Sequence, residues 1–160
     1  MAEEPLADAL EREHHEIDEG IEAFMSALSH GDGDPAPLVA AIHALRRHIY
    51  LEEEFLFPPL GRGGFVAPVF VMLREHAQMW ATLASLEREL RSHASGDLDN
   101  AVLAKRCDEL VVQLQHHNSK EEQILYPQAD HALPATTAEQ LKRFLDVGEL
   151  PDGWVCQQAR

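Results

Sequence analysis

Along four stretches of the chain apolar residues return every three or four positions, the period of a helix that buries one stripe. In the first, from about Pro5 to Ser29, the stripe is Leu6, Leu10, Ile17, Ile21, Phe24 and Leu28. Gly, Asp and Pro residues between 30 and 37 interrupt it. The second runs from about Pro37 to Phe57 on Leu38, Ile42, Leu45 and Phe55, and Pro58, Pro59 and the glycines at 61–64 read as its end. The third starts near Pro68, a residue suited to a first turn, and continues through Met72, Met79, Leu83, Leu86 and Leu90 to about His93. After a turn at 95–97 the fourth extends from about Asp99 to Leu125 through Leu103, Leu110, Leu114 and Ile124, and Tyr126-Pro127 closes it. A shorter helix over about 137–147, capped by Thr137 and stopped by Gly148, precedes a tail anchored by Trp154. Short connections between helices of similar length predict an all-α fold. It is an up-down-up-down antiparallel four-helix bundle over 1–130, with the short fifth helix and an irregular C-terminal tail, 131–160, packed against it.

Polar residues interrupt these stripes in a regular way. Residues four apart on a helix share a face, so His48/Glu52 and His117/Glu121 each present an imidazole beside a carboxylate, and both pairs lie within the apolar stripe. His14 falls between Leu10 and Ile17, and His76 between Met72 and Met79. At ~1.5 Å per residue, all six groups lie roughly 6–15 Å from one pole of an antiparallel bundle. The chain also echoes itself. His48-Ile-Tyr-Leu-Glu52-Glu53-Glu-Phe-Leu-Phe-Pro58 resembles His117-Asn-Ser-Lys-Glu121-Glu122-Gln-Ile-Leu-Tyr-Pro127, and Arg12-Glu13-His14 resembles Arg74-Glu75-His76.

Burying six such groups without partners is costly, and a bound metal removes the cost. A lone inward histidine is most often a satisfied core residue, and a single HxxxE pair is most often solvated; agreement of four stripes in phase and depth favours the metal. Four imidazoles and two carboxylates without a thiolate suit iron, manganese or zinc. If both carboxylates bridge two ions, an oxo or hydroxo bridge brings each to about five-coordinate, with a place left for dioxygen, peroxide or nitric oxide. Leu10, Ile17, Leu45, Phe55, Met72, Met79, Trp80 and Leu114 are the expected walls. His15 and His116, adjacent to candidate ligands, are read with His30, His43, His93 and His131 as surface residues, and Glu16, Glu53 and Glu122 as facing solvent or the ligands' surroundings.

Composition narrows the function classes. The 160 residues suffice for one domain, and a net charge of −15 disfavours nucleic acid and anionic lipid as partners. No apolar run approaches the ~20 residues of a membrane span. An acidic N-terminus, unlike a signal peptide, and two isolated cysteines predict a cytoplasmic protein, a monomer or weak homodimer, with buried or incidental thiols.

The H…HxxxE…H…HxxxE order, with its Glu-Glu-x-x-Leu-Phe-Pro and Glu-Glu-x-x-Leu-Tyr-Pro endings, resembles the hemerythrin-like (HHE cation-binding) family over roughly residues 6–128. The resemblance implies a four-helix bundle holding two iron ions, joined by an oxo or hydroxo bridge and by carboxylates. His14, His48, His76 and His117 would be terminal ligands, and Glu52 and Glu121 the bridges. Oxygen-carrying hemerythrins have a further histidine four residues after the helix-3 ligand and HxxxxD on the last helix. Here Trp80 and HxxxE stand in those places, which argues against reversible oxygen transport. Tyr126, one turn beyond Glu121, is a candidate additional ligand, against the alternative of a helix-end aromatic. The expected function is a non-haem di-iron protein that binds or reacts with dioxygen, hydrogen peroxide or nitric oxide, with catalase-like or peroxide-reducing turnover as a candidate activity. The alternatives are an iron- or oxygen-sensing or iron-storage module without catalysis, and an acidic bundle without metal.

Overall fold

A computed structural model describes residues 2–94 and 100–160, the side chains of His93 and Ala94 excepted. The expected turn at 95–97, the helix start at Asp99 and the side chain of His93 lie outside the described residues. The chain is all-helical, with no strand among the described residues. Helices α1 (Leu6–Ser29), α2 (Ala36–Leu51), α4 (Val66–Ala94) and α5 (Asn100–Lys120) are the long ones. Each packs its stripe on its neighbours: α1 on α2 and α5, α4 on α5 and α2. An approach of α1 to α2 uses small residues, since a Cβ on Gly20 would lie 3.2 Å from that of Ala41.

Two helix ends differ from expectation. Pro58 and Pro59 do not stop the second helix, and Tyr126-Pro127 does not close the fourth. A π turn over Glu52–Leu56 leads into α3 (Phe57–Leu60), and a matching one over Glu121–Leu125 leads into α6 (Tyr126–Ala132). In an α-helix a proline ring collides with the carbonyl four residues back. Here the turn is widened, so that Phe57 N–H donates to the Glu52 carbonyl and Tyr126 N–H to that of Glu121, and the following proline fits. The extra residue also rotates the next stretch of helix about its axis. Leu56 and Leu125 point inward at 0% and 1% exposure, whereas Phe55 is half-buried and Ile124 is 43% exposed, contrary to their places in the expected stripes.

The chain turns from α3 into α4 through a further π turn, Gly61–Phe65, where Gly64 takes φ 102°, a left-handed value that suits glycine. An 18-residue window within Ala36–Ser92 reaches a mean hydropathy of 1.4, but that stretch comprises α2, α3 and α4, and the chain folds back at this corner. Helix α7 (Ala135–Val147) starts after Pro134, two residues before the expected cap; Thr137 lies inside it and makes no cap. Beyond Gly148 the tail runs over the bundle to a 3₁₀ turn, Gln157–Ala159, that packs on α4. Cys156, fully buried, anchors this tail together with half-buried Trp154, which packs on Tyr50 and Trp80.

Candidate metal centre

A polar layer separates two hydrophobic clusters. Ile17, Leu45, Met79 and Leu114 belong to one; Leu10, Leu56, Phe57, Met72, Leu125 and Tyr126 belong to the other. His14 sits between Leu10 and Ile17 and His76 between Met72 and Met79, so the helices bring their histidines to one depth. His14, His48, Glu52, His76, His117 and Glu121 are all buried, none more than 3% exposed. They form two groups that share both carboxylates. One is His14, His48, Glu52 and Glu121; the other is Glu52, His76, His117 and Glu121, and within each the metal-ligating atoms lie within 4.8 Å of one another.

All four imidazoles are oriented alike. Nε2 points inward: those of His48 and His76 are 3.5 and 3.3 Å from Glu52 Oε1, and those of His14 and His117 are 3.3 and 3.1 Å from Glu121 Oε1. Each carboxylate oxygen therefore stands between one histidine of each group. Nδ1 points outward to a carboxylate on the neighbouring helix. His48 donates to Glu13 at 2.9 Å, His76 to Glu53 at 2.7 Å, His117 to Glu75 at 3.0 Å and His14 to Glu122 at 3.3 Å. Such outer partners fix the ring and the tautomer, leaving Nε2 as the inward donor atom.

Tyr126 enters the centre because of the π turn, which places it inward five residues after Glu121. Its hydroxyl donates to Glu52 Oε2 at 2.8 Å and lies 2.8 Å from His14 Nε2 and 3.0 Å from His48 Nε2. Tyr126 is fully buried and stacks on His14. Phe57, its counterpart in the internal repeat, stacks on His76 without a polar atom.

Hydrogen bonds within the cage leave some of its acceptors unpaired. Glu52 Oε1 and Glu121 Oε2 are buried without a hydrogen-bond partner, although Glu52 Oε1 lies near two imidazoles that are not aligned to donate to it. His76 Nε2 faces His117 Nε2 at 3.2 Å, a contact with room for one proton. Buried carboxylate oxygens are rarely left alone, and a cation satisfies this set. The titration behaviour agrees. Burial alone would drive the proton from His117, but Glu121, Glu75 and Glu52 outweigh it and lift its pKa to about 10. His48, against the same burial penalty, is raised well above the usual imidazole value by Glu52 and Glu13, and His76 is raised by Glu52 and Glu53. Its hydrogen bond to His117 holds Glu75 at about 2, despite some burial. Burial raises the Tyr126 phenol well above its ordinary value, and Glu121 and Glu52 add to the rise. The cage thus demands positive charge, from protons or from metal.

The sequence profile of the Hemerythrin HHE cation binding domain matches residues 5–129. The chain belongs to this family. Neither a curated protein nor a solved structure matches the chain.

The HHE match spans all six inward groups and Tyr126, and α7 and the tail lie beyond it. His15, His30, His43, His116 and His131 are exposed, so none of them competes for the centre. Leu10, Ile17, Leu45, Met72, Met79 and Leu114 flank the polar layer as walls. Phe55 and Trp80 are half-buried and pack against the edges of the two clusters. The π turn moves Phe55 outward against Tyr50 and Phe144, and Met79 takes the inward place next to Trp80, which packs on Trp154 and beneath Arg46. Glu16 is exposed and pairs with Arg12, whereas Glu53 and Glu122 reach the histidines. Glu13 and Glu75 lie off the apolar stripes, and the stripes do not mark them. The echo of Arg-Glu-His in the two copies is the signal that does. The two cysteines are buried, and burial pushes Cys107 up to about 12 and Cys156 to about 11, so neither offers a thiolate at neutral pH.

Proposed function

We propose that the protein is a non-haem di-iron protein that binds or reacts with small oxidants, namely dioxygen, hydrogen peroxide or nitric oxide. The observation that carries this reading is the pair of donor groups sharing Glu52 and Glu121, with four imidazole Nε2 atoms turned inward by outer carboxylates. His14 and His48 would hold one ion, His76 and His117 the other, and Glu52 and Glu121 would bridge them, with the four long helices running up-down-up-down around the pair. A pair of irons held there, joined by an oxo or hydroxo bridge, would supply two-electron exchange with peroxide and binding of dioxygen or nitric oxide. The chain's own residues decide where that chemistry occurs. Tyr126 adds a fifth protein donor to the His14/His48 group, while Phe57 adds none to the other. If the Tyr126 phenol served as a ligand, a small molecule would be expected on the His76/His117 side, where the chain offers one donor fewer. Leu10 and Met72 above the layer, and Ile17, Met79 and Leu114 below it, exclude bulk water. The acidic surface fits a cytoplasmic monomer or weak homodimer acting on small molecules rather than on nucleic acid or membrane.

Metal analysis with a visible spectrum of protein from iron-supplied cells tests this. Two irons per chain, with near-ultraviolet bands that change on adding peroxide, support it. A colourless chain that keeps its fold in excess chelator overturns it, and the charges are then satisfied by protons. Sensing or storage of iron without turnover is the second reading, favoured by the hydrogen bonds that run from the cage into the C-terminal segment. It predicts bound iron and no oxygen evolution from peroxide.

A further inference from the structure

Two of the four outer carboxylates are tied to residues beyond the family match, Glu53 directly and Glu13 through Arg47. Glu53 accepts His76 Nδ1–H with one oxygen and, with the other, the backbone N–H of Gln157 at 2.7 Å. Glu13 accepts His48 Nδ1–H with one oxygen and Arg47 Nη1 with the other, at 2.9 Å. The rest of that guanidinium donates to the carbonyls of Phe144, Leu145 and Gly148. These carbonyls lie at and just past the end of α7, where backbone acceptors run short of helical donors, the Phe144 carbonyl also accepting the Gly148 N–H, and Arg47 covers the Phe144 ring. Glu75, by contrast, is paired within the bundle by Lys120. The C-terminal segment thus reaches one histidine of each donor group, His48 and His76. His14 and His117 are held by Glu122 and Glu75, which lie within the HHE region.

We propose that residues 135–160 are a clasp on the metal centre, which orients His48 through Arg47 and Glu13, and His76 through Glu53, and so sets how slowly metal is released. The inference rests on the reading of these histidines as metal ligands. Arg47 and the Gln157 N–H are positioning groups: neither touches the centre, and each fixes a carboxylate that fixes an imidazole. Buried Cys156 and the packing of Trp154 between Tyr50 and Trp80 present the N–H to Glu53. Lifting the segment would loosen one ligand on each ion at the same time.

The test uses the full chain loaded with iron, and separately with zinc, and follows metal loss into excess chelator. Gln157→Pro deletes the N–H. The position suits proline, because Gln157 opens the 3₁₀ turn, its side chain is exposed, and Cys156 at φ −59°, ψ 150° has the geometry preferred before proline. Gln157→Ala keeps the N–H and serves as the control. Removing partners of this kind weakens metal binding by about 10–100-fold, so the proline variant should release metal about tenfold faster than wild type, and the alanine variant at the wild-type rate. Arg47→Met should accelerate release to a similar degree through His48, and its release rate decides between the outcomes if the proline variant fails to fold. Melting is followed in parallel. A clasp lowers the melting temperature of the loaded chain more than that of the metal-free chain, whereas a merely structural contact lowers both alike. Equal release from wild type and Gln157→Pro, or from both Gln157 variants, overturns the clasp. A wild-type chain that takes up no metal instead refutes the metal-centre reading itself.

Discussion

The two hairpins of the bundle carry the same backbone device and different chemistry. In each, HxxxEE runs into a π turn, an inward leucine, an inward aromatic ring and a proline. The ring then stacks on a histidine of the other hairpin: Phe57 on His76 at 5.4 Å, Tyr126 on His14 at 5.2 Å. At the aromatic position the two halves differ by a single oxygen atom. The Tyr126 hydroxyl touches Glu52, His14 and His48, while the phenyl ring of Phe57 brings no polar atom to the cage. The outer carboxylates differ too, the Glu53 side chain being 2% exposed and that of Glu122 31%. Repetition builds a symmetric cage, and one side chain then makes its two places unequal.

The strongest way to break the comparison is to remove what the halves share. Glu52→Ala or Glu121→Ala should abolish stoichiometric metal, because each carboxylate serves both donor groups. His117→Ala should cost one ion at least, its own. Elemental analysis of the purified variants decides, and two ions retained in Glu121→Ala would refute the sharing. Next, Tyr126→Phe makes the aromatic positions of the halves alike. The iron-loaded variant should lose any phenolate-to-iron band in the visible and bind its first ion about tenfold more weakly, as expected for loss of one ligating or orienting group. An unchanged spectrum would leave the phenol as a hydrogen-bonding residue alone.

A smaller effect comes from protons standing in for metal. The folded-state pKa of His117, about 10 against an ordinary 6.5, contributes stability that is fully present below pH 6.5 and is lost as pH rises through 10. Glu75, at about 2 against 4.5, contributes stability that is present above pH 4.5 and is lost as pH falls towards 2. Thermal melts of the metal-free chain should therefore decline from neutral towards alkaline pH. The loaded chain should not, since metal requires the imidazole unprotonated and its binding releases protons. An alkaline decline of equal size in both forms would contradict this. The smallest effect is expected from His15→Ala and His116→Ala, within about 0.5 kcal/mol in stability and with metal content unchanged. Metal loss in either would move a ligand by one residue.

Most of this arrangement is legible in the chain because helical period converts sequence spacing into direction. Leu10, His14 and Ile17 fall on one line whatever the rest of the fold does, and so do Leu45, His48 and Glu52. The reading fails where the period itself changes. Phe55 and Ile124 sit three residues after their glutamates and face inward only if the helix stays α. The steric rule that makes Pro58 and Pro127 helix stops holds for α geometry and is relaxed by a wider turn. The same widening brings Tyr126 to the cage, five residues after Glu121. Glu13, Glu75 and Arg47 escape for another reason. Each reaches across to a different helix, and the partner of such a side chain depends on which helices are neighbours, which the period along one helix does not encode.

The outer carboxylates carry that missing information. Glu13 on α1 binds His48 on α2, Glu53 after α2 binds His76 on α4, Glu75 on α4 binds His117 on α5, and Glu122 after α5 returns to His14 on α1. The bonds close a circuit with one direction of travel. Apolar stripes can pack with the neighbours arranged clockwise or anticlockwise, since ridges and grooves of leucine make little distinction. A bundle wound the opposite way would offer every one of these glutamates the wrong helix, so the circuit selects the handedness of the fold as well as holding the imidazoles.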